Sequence, residues 1–146
     1  MVGIVIATLG EPLPADIVSL ADAAERGGYA HIRRLVEEWS TATNRFEGRG
    51  ERLLGAYDGQ SLVAVGGMTI EFSRPDWLRM RRFYVLPDYQ SRGIGRMLAA
   101  QLLDHARAFT TVVTVQAGDG KAGLFWQAMG FRPQVCDTYT HVLELG

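Results

Sequence analysis

The chain has 146 residues, enough for one domain with its own core, and its 47% apolar and 21% charged residues are the balance of a soluble globular protein. A net charge of −1 excludes a global basic field for nucleic acid or anionic membrane. The single cysteine, Cys136, excludes an intrachain disulfide and a cysteine-built metal cage.

In chain order, MVGIVIATLG is apolar but too short to span a bilayer, and it has neither the basic start nor the cleavage site of a signal peptide. A cytoplasmic location is therefore expected. Residues 2 to 8 read as a strand. Over 15 to 26, Ile17, Leu20, Ala21 and Ala24 form one helical stripe, ended by Gly27 and Gly28. A second helix over 30 to 40 places Ile32, Leu35, Val36 and Trp39 on one side. RLLGAY and SLVAVGGMTIEF form a hairpin around Asp58-Gly59.

Residues 78 to 86 (LRMRRFYVL) make a further strand, closed by Pro87-Asp88. Strict alternation puts Arg79, Arg81 and Phe83 on one face, with Met80, Arg82 and Tyr84 on the other. The plain expectation is that Arg79 and Arg82 are exposed. Next comes YQSRGIGRMLA, then a helix with Leu98, Leu102, His105 or Ala106, and Phe109 on its buried side. TVVTVQ is a short strand and 121 to 129 a helix. Gly130 is placed to stop that helix in the left-handed conformation, with Phe131 packing back. Residues 134 to 145 supply the last strands. Hairpins followed by strand–helix–strand–helix predict a mixed α/β sheet with helices on its faces, in a single domain over 1 to 146.

A helix opening at Gly95 or Arg96 leaves its first amides without intrahelical partners and pointing into the glycine loop. With the helix dipole they make an anion site. Gly93 and Gly95 let a phosphate approach the backbone, and Arg92 and Arg96 add charge at the rim. No Gly-Lys-Ser/Thr follows, and position 98 is Leu where a dinucleotide fingerprint needs a third glycine. By itself the pair is equally a tight strand-to-helix turn.

The longer stretch RRFYVLPDYQSRGIGRMLAAQLLDHA resembles the acyl-coenzyme A site of the GNAT N-acyltransferase superfamily: Val85-x-Pro87, then Gln90-x-x-Gly93-x-Gly95, then a leucine-rich helix. A second family-like block, GLFWQAMGFRP, follows in the usual order. The resemblance implies a GNAT fold, whose central, mostly antiparallel sheet splays between strands 4 and 5 with helices on both faces. It implies an N-acetyltransferase using acetyl-CoA and no metal, acting on a small amine or peptide by direct attack on the thioester. Nucleic acid and membrane are not implied partners; a homodimer is compatible.

By position, the resemblance gives the pyrophosphate to the amides of Ser91, Arg92, Gly93, Ile94, Gly95 and Arg96, with Gln90 opening the turn. The pantetheine arm falls to the backbone of Phe83, Tyr84 and Val85, where a bulge splays the strand and an amide near Val85 polarises the acyl carbonyl. The family often has a tyrosine as acid where this chain has Trp126, whose indole cannot deliver a proton; Trp126 reads as packing or as an arm contact. Asp119 stands where many relatives have an arm-binding asparagine, and reads equally as a helix N-cap. Glu71 is the candidate base, or else a solvated strand-end carboxylate or a partner for Arg79 or Arg81. His141 is a second candidate base, and Tyr139 a replacement acid. Arg81, with Arg79, is the candidate grip on a carboxylate or phosphate of the acceptor. The departures at Trp126 and Asp119 leave open a second class, an acyl-CoA-binding sensor without turnover.

Overall fold

The structure, a computed structural model, describes residues 3 to 146. The strand expected over 2 to 8 is β1 (Ile4–Thr8); Val2 lies outside the described residues. It is followed by α1 (Ile17–Arg26), α2 (His31–Ser40), β2 (Arg52–Asp58), β3 (Ser61–Glu71) and β4 (Arg74–Val85). A 3-10 turn (Pro87–Tyr89) leads to α3 (Ile94–Ala106), β5 (Val112–Val115), α4 (Gly120–Ala128), β6 (Arg132–Pro133) and β7 (His141–Glu144). The strands form one sheet in the order β1-β2-β3-β4-β5-β7-β6, antiparallel throughout except for the parallel pair β4–β5. That pair needs a crossover, which α3 supplies.

The apolar stripes do what their spacing predicts. Ile17, Leu20, Ala21 and Ala24 of α1, and Ile32, Leu35 and Trp39 of α2, pack with Leu53, Leu62 and Val65 on one face of the sheet. Leu98, Leu102 and Ala106 of α3, with Trp126 of α4, pack on Val63, Met68, Met80 and Val113 on the other. β3 is therefore buried on both sides, and its unbroken apolar run follows from that. Phe109 lies beyond the end of α3 but still packs against the second cluster. Gly130 takes φ +100° after α4, and the Phe131 amide closes back on Trp126 O at 3.0 Å.

Alternation along β4 fails at one place, and this corrects the sequence expectation. Tyr84 pairs with Val65 but Arg81 with Gly67, so β4 holds one residue more than β3 can match. The bulge falls at Arg82, a non-glycine residue at φ +61°. Beyond it the faces exchange. Phe83 joins Trp126 on the α3–α4 face, while the Arg82 side chain points to α2, where it meets Glu38.

Gly66 stands opposite the bulge, and a Cβ there would lie 2.8 Å from the Phe83 ring. Gly66→Ala should therefore cost about 1–3 kcal/mol through overpacking. The check is a lowered urea midpoint at unchanged slope; a variant as stable as wild type would show that Phe83 is not pinned there.

Candidate functional site

The loop after β4 is built to present donors. Gln90 Nε2 donates to Val85 O at 2.9 Å and closes the turn. Ser91 at φ +63° and Gly93 at φ +81° then swing the chain into α3, which begins at Ile94, a residue earlier than expected. The Met97 amide is satisfied by Gly93 O at 3.0 Å. Among the described residues no acceptor is bound to the six amides from Ser91 to Arg96, and no side chain caps the helix. Arg92 and Arg96 are exposed beside them, in no ion pair among the described residues. Free amides, helix dipole and two guanidinium groups make a strong anion cradle. Gly93 needs its freedom for positive φ. Gly95 does not: a Cβ there would touch Phe125 at 3.5 Å and Val85 at 3.8 Å, ordinary contacts. Its glycine keeps open the space between β4 and α4.

The same loop stands at the mouth of a gap in the sheet. β4 pairs with β5 only from Leu78 to Met80, leaving Arg81 to Val85 without a neighbour on that side. The Leu86 amide donates to Val63 O at 2.9 Å, so the alternation of the strand turns the N–H of Val85 away from β3, toward the gap. The Val85 carbonyl is held by Gln90, which leaves the amide as the donor facing the opening.

Glu71 lies elsewhere and is fully engaged. It is 1% exposed and accepts from the Ser73 amide and hydroxyl, Thr114 Oγ1 (3.0 Å), Thr138 Oγ1 (2.9 Å) and Arg79 Nη1 (3.3 Å). Burial raises its pKa, but the bonds from Ser73, Thr138 and Thr114 outweigh that and hold the carboxyl below its ordinary value. Glu71 is therefore the partner of Arg79 and not a solvated strand-end carboxylate, and a carboxylate so stabilised is a weak base. Arg79 is not exposed either: it is 7% exposed, bound to Glu71 and to Thr138 O at 2.9 Å, with Nε unpartnered. Arg82 is half-buried and bound to Glu38 at 2.8 Å. Neither Arg79 nor Arg82 is available to an acceptor.

Tyr139 packs on Trp77 at the start of β4, away from Val85, and a bond to Cys136 together with burial raises its pKa. His141 is wedged between β7 and α4, bonded to Thr140 Oγ1 and Gln127 Nε2. Trp126 is 5% exposed, edge-on to Phe83, Phe125 and Phe131. Asp119 caps α4, accepting from the Ala122 amide at 2.8 Å.

Arg81 differs from its neighbours. Half-buried on the α2 side of the sheet, it makes no hydrogen bond or ion pair among the described residues and rests over the Phe72 ring at 4.9 Å. Burial, then the nearby Arg82 charge, push its pKa down to about 10, so it is still a cation at neutral pH. Glu38 and Glu51, the carboxylates that act on it, are committed to Arg82 and to the Gly48 and Ile70 amides.

One residue at this site escaped the sequence reading. His31, the first residue of α2, places Nε2 2.7 Å from Phe83 O, within the bulged segment. Nothing in the spacing around His31 signals this, because the contact joins residues 52 apart. Beside it a cavity of about 520 Å³ opens between the α1–α2 connection and the end of β4, walled by Tyr29, Tyr84, Leu86 and Gln90. Among the described residues no group of three or more His, Cys, Asp or Glu side chains is placed to hold a metal, and no helix is long and apolar enough to cross a membrane.

Known proteins resemble this chain in sequence and in fold. The family model "Acetyltransferase (GNAT) family" matches residues 16–131. N-alpha-acetyltransferase RimI of Mycobacterium tuberculosis (strain ATCC 25618 / H37Rv) is 32% identical over 80 residues, 54% of this chain and 51% of that protein. The match thus spans about half the length of that relative. Among solved structures, a protein of Exiguobacterium sp. 255-15 superposes with a TM-score of 0.87 at 22% identity, over 97% of this chain and 93% of that one. A GNAT family acetyltransferase of Brucella melitensis, solved in complex with acetyl-CoA, gives 0.74 at 19% identity, over 100% and 90%.

Glu71→Gln should cost about 3–5 kcal/mol at pH 7, because it leaves the Arg79 cation buried without its counter-charge. With a folded pKa below its ordinary 4.5, Glu71 contributes stability that is present above that value and lost as pH falls through the folded one. Urea melts across pH should show the variant losing part of the acid limb. Equal stability of the two proteins at pH 7 would contradict this role.

Proposed function

Since the chain belongs to the GNAT acetyltransferase family, we propose that it moves the acetyl group of acetyl-CoA onto the primary amine of a small molecule that also bears an acidic group. The observation that carries the cofactor half is the run of six unengaged amides, Ser91 to Arg96, at the mouth of the β4–β5 gap. They suit the two phosphates of a coenzyme A pyrophosphate, with Arg92 and Arg96 supplying charge. The thioester arm then runs along Phe83 to Val85, into the gap that Gly95 keeps clear.

The amine attacks the thioester carbonyl directly. The Val85 amide receives the charge that develops on the carbonyl oxygen. As the carbon–sulfur bond breaks, the sulfur leaves as thiolate; an ordinary thiol pKa of about 8.5 makes that feasible without an acid. This fits the absence of a phenol at Trp126 and the remoteness of Tyr139.

Arg81 carries the acceptor half: of three neighbouring arginines on this strand, it alone has no carboxylate of its own among the described residues. A half-buried guanidinium favours a planar anion that it can bind with two parallel hydrogen bonds. The similarity to RimI, whose name specifies α-amines, supports a second reading in which the acceptor is a peptide N-terminus.

Thiol release from acetyl-CoA, followed over amino acids, neutral amines and short peptides, tests both halves. Arg81→Ala should raise KM for acidic acceptors at least tenfold while changing KM for neutral ones little. Equal effects on both would remove the acidic-acceptor assignment. Tight acetyl-CoA binding without turnover across the panel would favour a sensor instead.

A further inference from the structure

The proton carried by the attacking ammonium needs a destination, and the carboxylate expected to take it, Glu71, is already saturated with donors. His31 is differently placed. Its Nε2 is 2.7 Å from Phe83 O, and since a carbonyl can only accept, Nε2 carries the hydrogen. In the neutral ring the lone pair is then on Nδ1, which makes no hydrogen bond among the described residues and is not sealed from solvent. Tyr29 and Tyr84, which wall the cavity of about 520 Å³, stand edge-on to the imidazole at 6.0 and 6.2 Å. The ring therefore stands between the bulged backbone beside the gap and the two tyrosines that wall the cavity.

We propose that His31 is the proton acceptor of the transfer reaction, taking the ammonium proton at Nδ1, directly or through one water, and releasing it into the Tyr29–Tyr84 cavity. The inference rests on the acetyltransferase reading above. In the balanced step the ammonium gives one proton to His31, the free amine forms the carbon–nitrogen bond, and the carbon–sulfur bond breaks. The second proton of the amine goes to the departing thiolate, and imidazolium returns its proton to water.

The surroundings suit a base that must also let go. Arg82 and Tyr84 from β4, Tyr29 from the α1–α2 connection and Arg34 from α2 itself surround the ring, while Arg26 and Asp88 line the cavity beyond the two tyrosines. Burial, followed by the Arg82 and Arg34 charges, keeps the pKa below its ordinary 6.5 despite the bond to Phe83. The imidazole is neutral at pH 7 and sheds an acquired proton readily.

His31→Gln keeps a donor for Phe83 O and removes the base. The probes are hydroxylamine, a neutral nucleophile at pH 7, beside L-glutamate, 2-phenylethylamine and trialanine, which are largely protonated there. With whichever of the protonated amines the wild type acetylates fastest, the variant should lose about a hundredfold in kcat at pH 7, and the acidic limb of its pH–rate profile should move up toward the pKa of the amine itself. With hydroxylamine it should stay within threefold. Equal losses on both, or an unmoved limb, would overturn the role of His31 while leaving the transferase standing. A wild type that binds acetyl-CoA but acetylates none of the four probes would overturn the transferase reading and the proton route with it.

Discussion

At Arg82 the fourth strand carries one residue more than the third can pair, and the site depends on that surplus. The extra residue is held at φ +61°, a conformation costing on the order of 1–3 kcal/mol for a side chain of this kind. α2 holds it from both sides: Glu38 binds the Arg82 guanidinium at 2.8 Å and His31 binds Phe83 O at 2.7 Å. Gly66 is left without a Cβ where the displaced Phe83 ring must lie. Strain at the bulge, a two-point clamp from a helix and a missing methyl opposite are three parts of one device. Its result is a strand that follows β5 for three residues and then departs.

The departure divides β4 into halves with different chemistry. Its first half is locked by the Glu71–Arg79 pair, which also gathers Thr114 from β5 and Thr138 from the β6–β7 connection. At its centre the Glu71 carboxylate is buried and fully engaged, which makes the network structural. From Arg81 onward the strand has amides without a β5 partner and, in Arg81 itself, an arginine without a counter-ion among the described residues, while α2 sets beside it a histidine with a spare lone pair. Groups left unsatisfied by the fold are the ones available to a ligand, and here they cluster on one side of a single residue.

Much of this was legible in the sequence. Apolar spacing located α1, α2 and the buried side of α3, Asp58-Gly59 located the β2–β3 hairpin, and Gly130 the end of α4, because each depends on local preference. The phosphate-like loop was legible for the same reason: Gly93, Gly95 and the helix start are neighbours in the chain. A bulge was implied by the family resemblance, but its place at Arg82 was not legible, because strict alternation is the only strand pattern a sequence displays, and Arg82 breaks it through pairing with β3. RMRR looked like an exposed basic run. Which arginine would keep a free charge depended on Glu38 and Glu71, brought in from α2 and β3. His31 was invisible for the same cause, standing at the start of an ordinary amphipathic helix.

The most direct test of the account is calorimetric titration of acetyl-CoA into wild type and Gly95→Leu. Leucine suits a helix better than glycine by roughly 0.5–1 kcal/mol, and the fold meets its Cβ with ordinary contacts, so a melting curve of the variant beside that of wild type serves as the control for folding. The account predicts micromolar binding by the wild type and loss of at least a hundredfold in the variant. Undiminished binding by Gly95→Leu, or none by folded wild type, would contradict the placement of acetyl-CoA at the Ser91–Arg96 loop and the gap beside it.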